Sequence, residues 1–112
     1  MDLPFDLPPA RVAELLGAGA IELVDVREPY EREAGFVAGS RHVPLVDLSD
    51  AAPTIAADRP VVFVCRLGAR SSMAGRSFAR AGYDAHHLQG GMVAWAAEGL
   101  PLEPEGGHVA DH

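Results

Sequence analysis

Apolar residues along the chain fall into short runs separated by glycine and proline, and two spacings alternate. IELVDV (Ile21 to Val26) and PVVFVC (Pro60 to Cys65) are apolar at nearly every position. Such runs mark strands covered on both faces, as in a parallel sheet with helices on either side. Helical spacing appears between them. Pro8 and Pro9 suit the first turn of a helix whose Val12, Leu15 and Leu16 share one face, and which stops near Gly17 and Gly19. A further helix is predicted over Ser71 to Ala81, with Ala74, Phe78 and Ala81 on one face and Gly82 ending it. Ala85 to Leu88 reads as a short strand, Gly90 and Gly91 as a turn, and Val93, Trp95 and Ala96 as part of a last helix. The stretch from Tyr30 to Ala52 mixes helical and turn signals around Gly35, Gly39 and Pro44, with a short strand expected at Arg41 to Val43. The order strand, loop, helix, strand, loop, helix predicts an α/β domain with a central, mainly parallel sheet and right-handed crossovers.

A chain of 112 residues suits one compact domain. Residues 1–103 are expected to form it, with the polar, Gly-rich residues 104–112 as a flexible tail. No apolar run approaches the roughly 20 residues that a bilayer span needs. The N-terminus MDLPFDLPPARVAELL has neither a basic start nor a continuous apolar stretch, so a secretory signal is not expected and a cytoplasmic setting is. The net charge of −7 argues against a nucleic-acid partner. All 9 cations are Arg, however, and Arg59, Arg66, Arg70, Arg76 and Arg80 fall in a stretch ending at Tyr83 that holds no Asp or Glu. Such a charge run is ordinarily a solvated face. Here it overlaps the single cysteine.

Cys65 has no second sulfur with which to form a disulfide or a CxxC pair. It ends an apolar run and precedes a glycine-containing loop and a helix, which places it at the carboxyl end of the sheet, where open α/β folds bind ligands. Backbone N–H groups from Arg66 to Ser71 can converge on one point if Gly68 lets the loop curl. Those donors, with Arg66 and Arg70, favour the thiolate, the nucleophilic form. The plain alternative, a small buried hydrophobe, is what a lone cysteine in an apolar strand ordinarily is. Arg, Gly, Arg and Ser within six residues downstream favour a reactive thiol.

Three segments carry a resemblance to the rhodanese family. CRLGARS (Cys65 to Ser71) resembles its active-site loop, DVREPYE (Asp25 to Glu31) the segment after an early strand, and LQGGMVAW (Leu88 to Trp95) its late glycine pair, helix and tryptophan. The likeness extends over about Leu15 to Leu102. It departs at GFVAGSRHVP (Gly35 to Pro44), where the family commonly has GHIPGA, so Phe36 replaces a frequent His and Ala38 a frequent Pro. The resemblance implies a three-layer rhodanese-like domain and a double displacement. Cys65 would take sulfur from a small anionic donor such as thiosulfate and pass it, as a persulfide, to cyanide, a thiol or an acceptor protein. The loop amides would stabilise the persulfide, Arg66 or Arg70 would orient the donor, and Leu67, Gly68, Ala69 and Ser71 would complete the binding loop. No metal or organic cofactor is implied.

Asp25, Arg27 and Glu28 are read as structural charges at a strand end, and Met92 and Trp95 as core. His86 and His87 are neighbours on a strand, so their side chains point to opposite faces and make a poor metal pair. His42, His108 and His112 offer no ligand set. Two rival functions remain. Cysteine phosphatases place five residues between Cys and Arg, whereas Arg70 follows Cys65 after four. A binding or sulfur-relay module without turnover would keep the fold, although retention of Cys65 weighs against an inactive one.

Overall fold

A computed structural model describes residues 2–111, so His112, and Met1 of the segment read for a targeting signal, lie outside the described residues. The chain forms strands β1 (Asp6–Leu7), β2 (Glu22–Asp25), β3 (Arg41–His42), β4 (Val61–Val64) and β5 (Ala85–Leu88). Between and after them come helices α1 (Pro9–Gly17), α2 (Pro29–Ala34), α3 (Leu48–Ala51), α4 (Ala69–Arg80) and α5 (Gly91–Ala97). Short 3₁₀ turns flank α3. The strands form one sheet in the order β1-β5-β4-β2-β3, and every pairing is parallel. This is the α/β architecture expected, with β4 at its centre.

The two faces are separate cores. Val12, Leu15, Met92 and Trp95 from α1 and α5 cover one face over Leu23, Val62, Val64 and Leu88. Ala74 and Phe78 from α4, with Leu48 of α3, cover the other over Val24, Val61, Phe63 and Ala85. The pleat sends alternate residues of β4 to opposite faces. Cys65 follows Val61 and Phe63 onto the α4 side. Both faces being covered is why β2 and β4 are apolar at nearly every position.

β1 and α2 have no strong sequence pattern. β1 has two residues and no periodicity to read. α2 begins with Glu28 as its capping residue and Pro29 at the first helical position, and Glu31 closes a capping box by accepting the Glu28 N–H at 2.9 Å. α4 starts at Ala69, two residues earlier than its apolar spacing indicates, because Gly68 (φ +117) caps it in the left-handed conformation. The end of the chain makes backbone contacts with the end of α2 and the region after it. Phe36 and Glu103 exchange backbone hydrogen bonds and the His108 N–H donates to the Ala34 carbonyl at 2.9 Å.

A buried ion pair closes the carboxyl end of β2. Arg27 is fully buried and donates to both carboxylate oxygens of Asp25, at 2.9 and 2.8 Å, and to the Gly35 carbonyl at 2.8 Å. Arg32 reaches Asp25 at 3.4 Å, and burial lowers its pKa against the raising effect of that carboxylate. The structural reading of Asp25 and Arg27 therefore matches their placement. Replacing Arg27 with Met leaves the Asp25 carboxylate with the backbone N–H of residue 27, 3.1 Å away, and with Arg32 as its one charged partner among the described residues, and Arg27→Met is expected to cost about 3–5 kcal/mol in guanidinium unfolding. A loss below about 1 kcal/mol would show that the pair does not hold this end of the sheet.

Candidate active site around Cys65

The chain leaves the sheet at Cys65 and turns directly into α4, so the loop from Arg66 to Gly68 must curl tightly. That curl aims backbone donors at one sulfur. The Gly68 N–H donates to Cys65 Sγ at 3.1 Å and the Ser71 N–H at 3.4 Å, while the Ser71 hydroxyl lies 3.5 Å from the same atom. Sγ is also beside the first turn of α4, where unpaired amides favour negative charge. Cys65 and Ser71 are buried, at 1% and 0% exposure, whereas Leu67 is 58% exposed at the loop tip.

The two arginines of the loop differ in placement. Arg70 extends away from the sulfur to Glu31 of α2, donating to its two carboxylate oxygens at 2.7 and 3.0 Å. These hydrogen bonds raise the Arg70 pKa, with Cys65 and Tyr30 adding smaller effects in the same direction. Glu31 is fully buried, and sequence reasoning did not single it out. The signal was present in its position at the third residue of a Pro-initiated helix. Arg66 instead turns to the C-terminal segment, donating to the Ala110 carbonyl at 3.0 Å and to the exposed Asp111 carboxylate at 3.2 Å. It also lines an open cavity of about 570 Å³ with Val93, Leu100, Leu102 and His108.

The late glycine pair holds the loop from behind. Met92 and Val93, in the first turn of α5, donate their N–H groups to the carbonyls of Cys65 and Arg66 at 2.9 and 3.1 Å. Gly91 sits in the left-handed region (φ +61) directly against those same two carbonyls, where a Cβ would collide with both oxygens. Glycine is thus required twice over, for conformation and for closeness. On the neighbouring strand, His86 and His87 diverge as expected. His86 reaches the Pro4 carbonyl and Asp84, at 2.7 and 2.6 Å, and His87 reaches Asp6 and Ser71.

Comparison with known proteins matches this geometry. Residues 8–98 match the profile of the Rhodanese-like domain. The chain is 40% identical over 86 residues to a sulfurtransferase of Allochromatium vinosum, covering 75% of this chain and 80% of that protein. It is 33% identical over 90 residues to a thiosulfate sulfurtransferase of Pseudomonas aeruginosa, covering 80% and 81%. The crystal structure of a rhodanese-related protein from Thermoplasma volcanium superposes with a TM-score of 0.82 at 27% identity, over 88% of this chain and 97% of that one. Other curated relatives are much longer, and the chain spans only 25% to 42% of their length.

Because Gly91 is wedged against the Cys65 and Arg66 carbonyls, Gly91→Ala is expected to cost about 1–3 kcal/mol from backbone strain alone. The midpoint of denaturant unfolding measures this, and an unchanged midpoint would mean that α5 does not brace the loop.

Proposed function

Since the chain belongs to the Rhodanese-like domain family, we propose that it is a sulfurtransferase that carries sulfane sulfur as a persulfide on Cys65. The convergence of the Gly68 and Ser71 N–H groups on Cys65 Sγ is the observation that carries this reading. The Cys65 thiolate attacks the outer sulfur of thiosulfate, a new S–S bond forms, and the old one breaks with its electron pair leaving on sulfite. A nucleophilic acceptor, such as cyanide, a thiol or a cysteine of an acceptor protein, then attacks the terminal sulfur and returns the thiolate. The loop amides stabilise the anionic sulfur at each stage. Arg66, Leu67, Gly68, Ala69, Arg70 and Ser71 form the binding loop in this reading.

Within that loop the arginines divide the work. Arg70, paired with Glu31, sets the loop's shape, whereas Arg66 is held by a backbone carbonyl and an exposed carboxylate and supplies the charge that draws an anionic donor. The same placement weighs against phosphatase chemistry. Arg70 follows Cys65 after four residues instead of five and extends to Glu31, and a shorter curl crowds a tetrahedral phosphoryl group.

Intact-mass measurement after thiosulfate treatment tests the carrier directly. One added sulfur is expected on the unmodified protein and none on Cys65→Ser, which also loses thiosulfate-to-cyanide transfer. Persistent turnover in a folded Cys65→Ser protein would exclude Cys65 as carrier. Arg66→Ala is expected to raise the KM for thiosulfate several-fold and to flatten its dependence on salt. Unaltered kinetics in both respects would return Arg66 to the solvated surface.

A further inference from the structure

We infer that His87 is the proton store for Cys65, reached through the Ser71 hydroxyl, and that Asp6 holds its ring in the orientation this requires. The inference rests on the reading of Cys65 as the sulfur carrier. Four side chains from four parts of the fold line up. Cys65 Sγ is 3.5 Å from Ser71 Oγ, Ser71 Oγ is 3.1 Å from His87 Nδ1, and His87 Nε2 is 2.7 Å from Asp6 Oδ1. Cys65 directly follows β4, Ser71 lies in the first turn of α4, His87 is on β5 and Asp6 on β1. Exposure is 1% at Cys65, 0% at Ser71 and 7% at His87, so bulk water does not readily substitute for any link between sulfur and ring.

The partners dictate where the protons sit. An ionised carboxylate only accepts, so the short contact to Asp6 places a proton on His87 Nε2. Nδ1 of the neutral ring is then a bare acceptor facing Ser71. In the neutral arrangement the Cys65 S–H donates to Ser71 Oγ, and the Ser71 O–H donates to His87 Nδ1. In the ionic arrangement the Ser71 O–H donates to the thiolate, and Nδ1–H of the imidazolium donates to Oγ. Two protons move one link each between them: the S–H bond breaks as a new O–H bond forms, and the old O–H bond breaks as N–H forms. The atoms and charges balance without any further reactant. The Gly68 carbonyl, 3.2 Å from Ser71 Oγ, competes for the hydroxyl proton.

Each end of the ionic arrangement has its partners in place. The Gly68 and Ser71 N–H groups face the thiolate, and Asp6 faces the imidazolium. Phe5 lies against the His87 ring, with centroids 5.1 Å apart, and Arg76 of α4 stacks over that Phe5 ring at 4.9 Å. From the loop, Gly68 adjoins the edge of the ring, where a Cβ would stand 3.6 Å from His87 Cε1, an ordinary contact. Asp84 pairs with His86 on β5. Among the described residues, the charges facing the ring itself are therefore Asp6 and, across Ser71, Cys65. His87 does not touch the transferred sulfur; it is a positioning residue acting through Ser71.

The test is the pH profile of Cys65 alkylation by iodoacetamide, which reads thiolate whether or not the protein transfers sulfur. His87→Asn preserves a hydrogen-bonding group at the Nδ1 position but cannot store a proton. Relative to the rate at pH 10, the rate at pH 6 is expected to fall at least about tenfold in this variant. Asp6→Asn, at the half-exposed end of the chain of contacts, should give a fall in the same direction and guards against failure of His87→Asn to fold. Superimposable profiles for the unmodified protein and a folded variant would overturn the inference. A normal profile accompanied by no thiosulfate-derived mass increase would instead overturn the sulfur-carrier reading alone.

Discussion

The Glu31 carboxylate is withdrawn completely from water, and its compensation ties the early part of the chain to the loop that carries the cysteine. A buried anion is tolerated only when its lone pairs are filled. Here the Arg70 fork, from the first turn of α4, and the Glu28 N–H, from the start of α2, both meet it. Arg27 links the same turn back to Asp25 at the end of β2. The curl between Cys65 and Ser71 is therefore fixed from outside as well as from within, and Arg70 is unavailable for a wider ring around a larger anion. The shape of the loop at the sulfur follows from this one carboxylate together with the glycine wedge of α5.

Much of the frame was legible in the sequence because burial on two faces leaves a signature. β2, β4 and β5 each read as strands, and α1, α4 and α5 as helices, since their apolar positions recur with the period that packing imposes. α2 was obscured because its cap is a Glu instead of the more familiar Ser, Thr, Asp or Asn. β1 and the C-terminal segment are held by backbone hydrogen bonds and a few side chains, and neither bond type requires a residue pattern.

The site was legible in one dimension only. A cysteine followed by Gly, Arg and Ser within a strand-to-helix turn announces a loop of donors, and Gly68 and Ser71 do face the sulfur. What the sequence could not display is which distant residues meet that loop. Glu31 is 39 positions from Arg70 and Asp6 is 81 from His87. His87 read as half of a poor metal pair, which was sound as far as it went, since the alternation of a strand separates it from His86. Only the sheet order, which brings β1 beside β5, reveals what each histidine faces instead.

That sheet order has a further effect on how copies of the chain behave toward one another. Its outermost strands, β1 and β3, have just two residues each, while the longer strands lie between them. An edge strand offers unpaired N–H and C=O groups to any extended segment nearby, and long, flat, apolar edges template aggregation. With edges this short, the sheet gives a neighbouring chain almost no ladder to extend, so its strongly apolar central strands remain compatible with a high concentration of the folded protein.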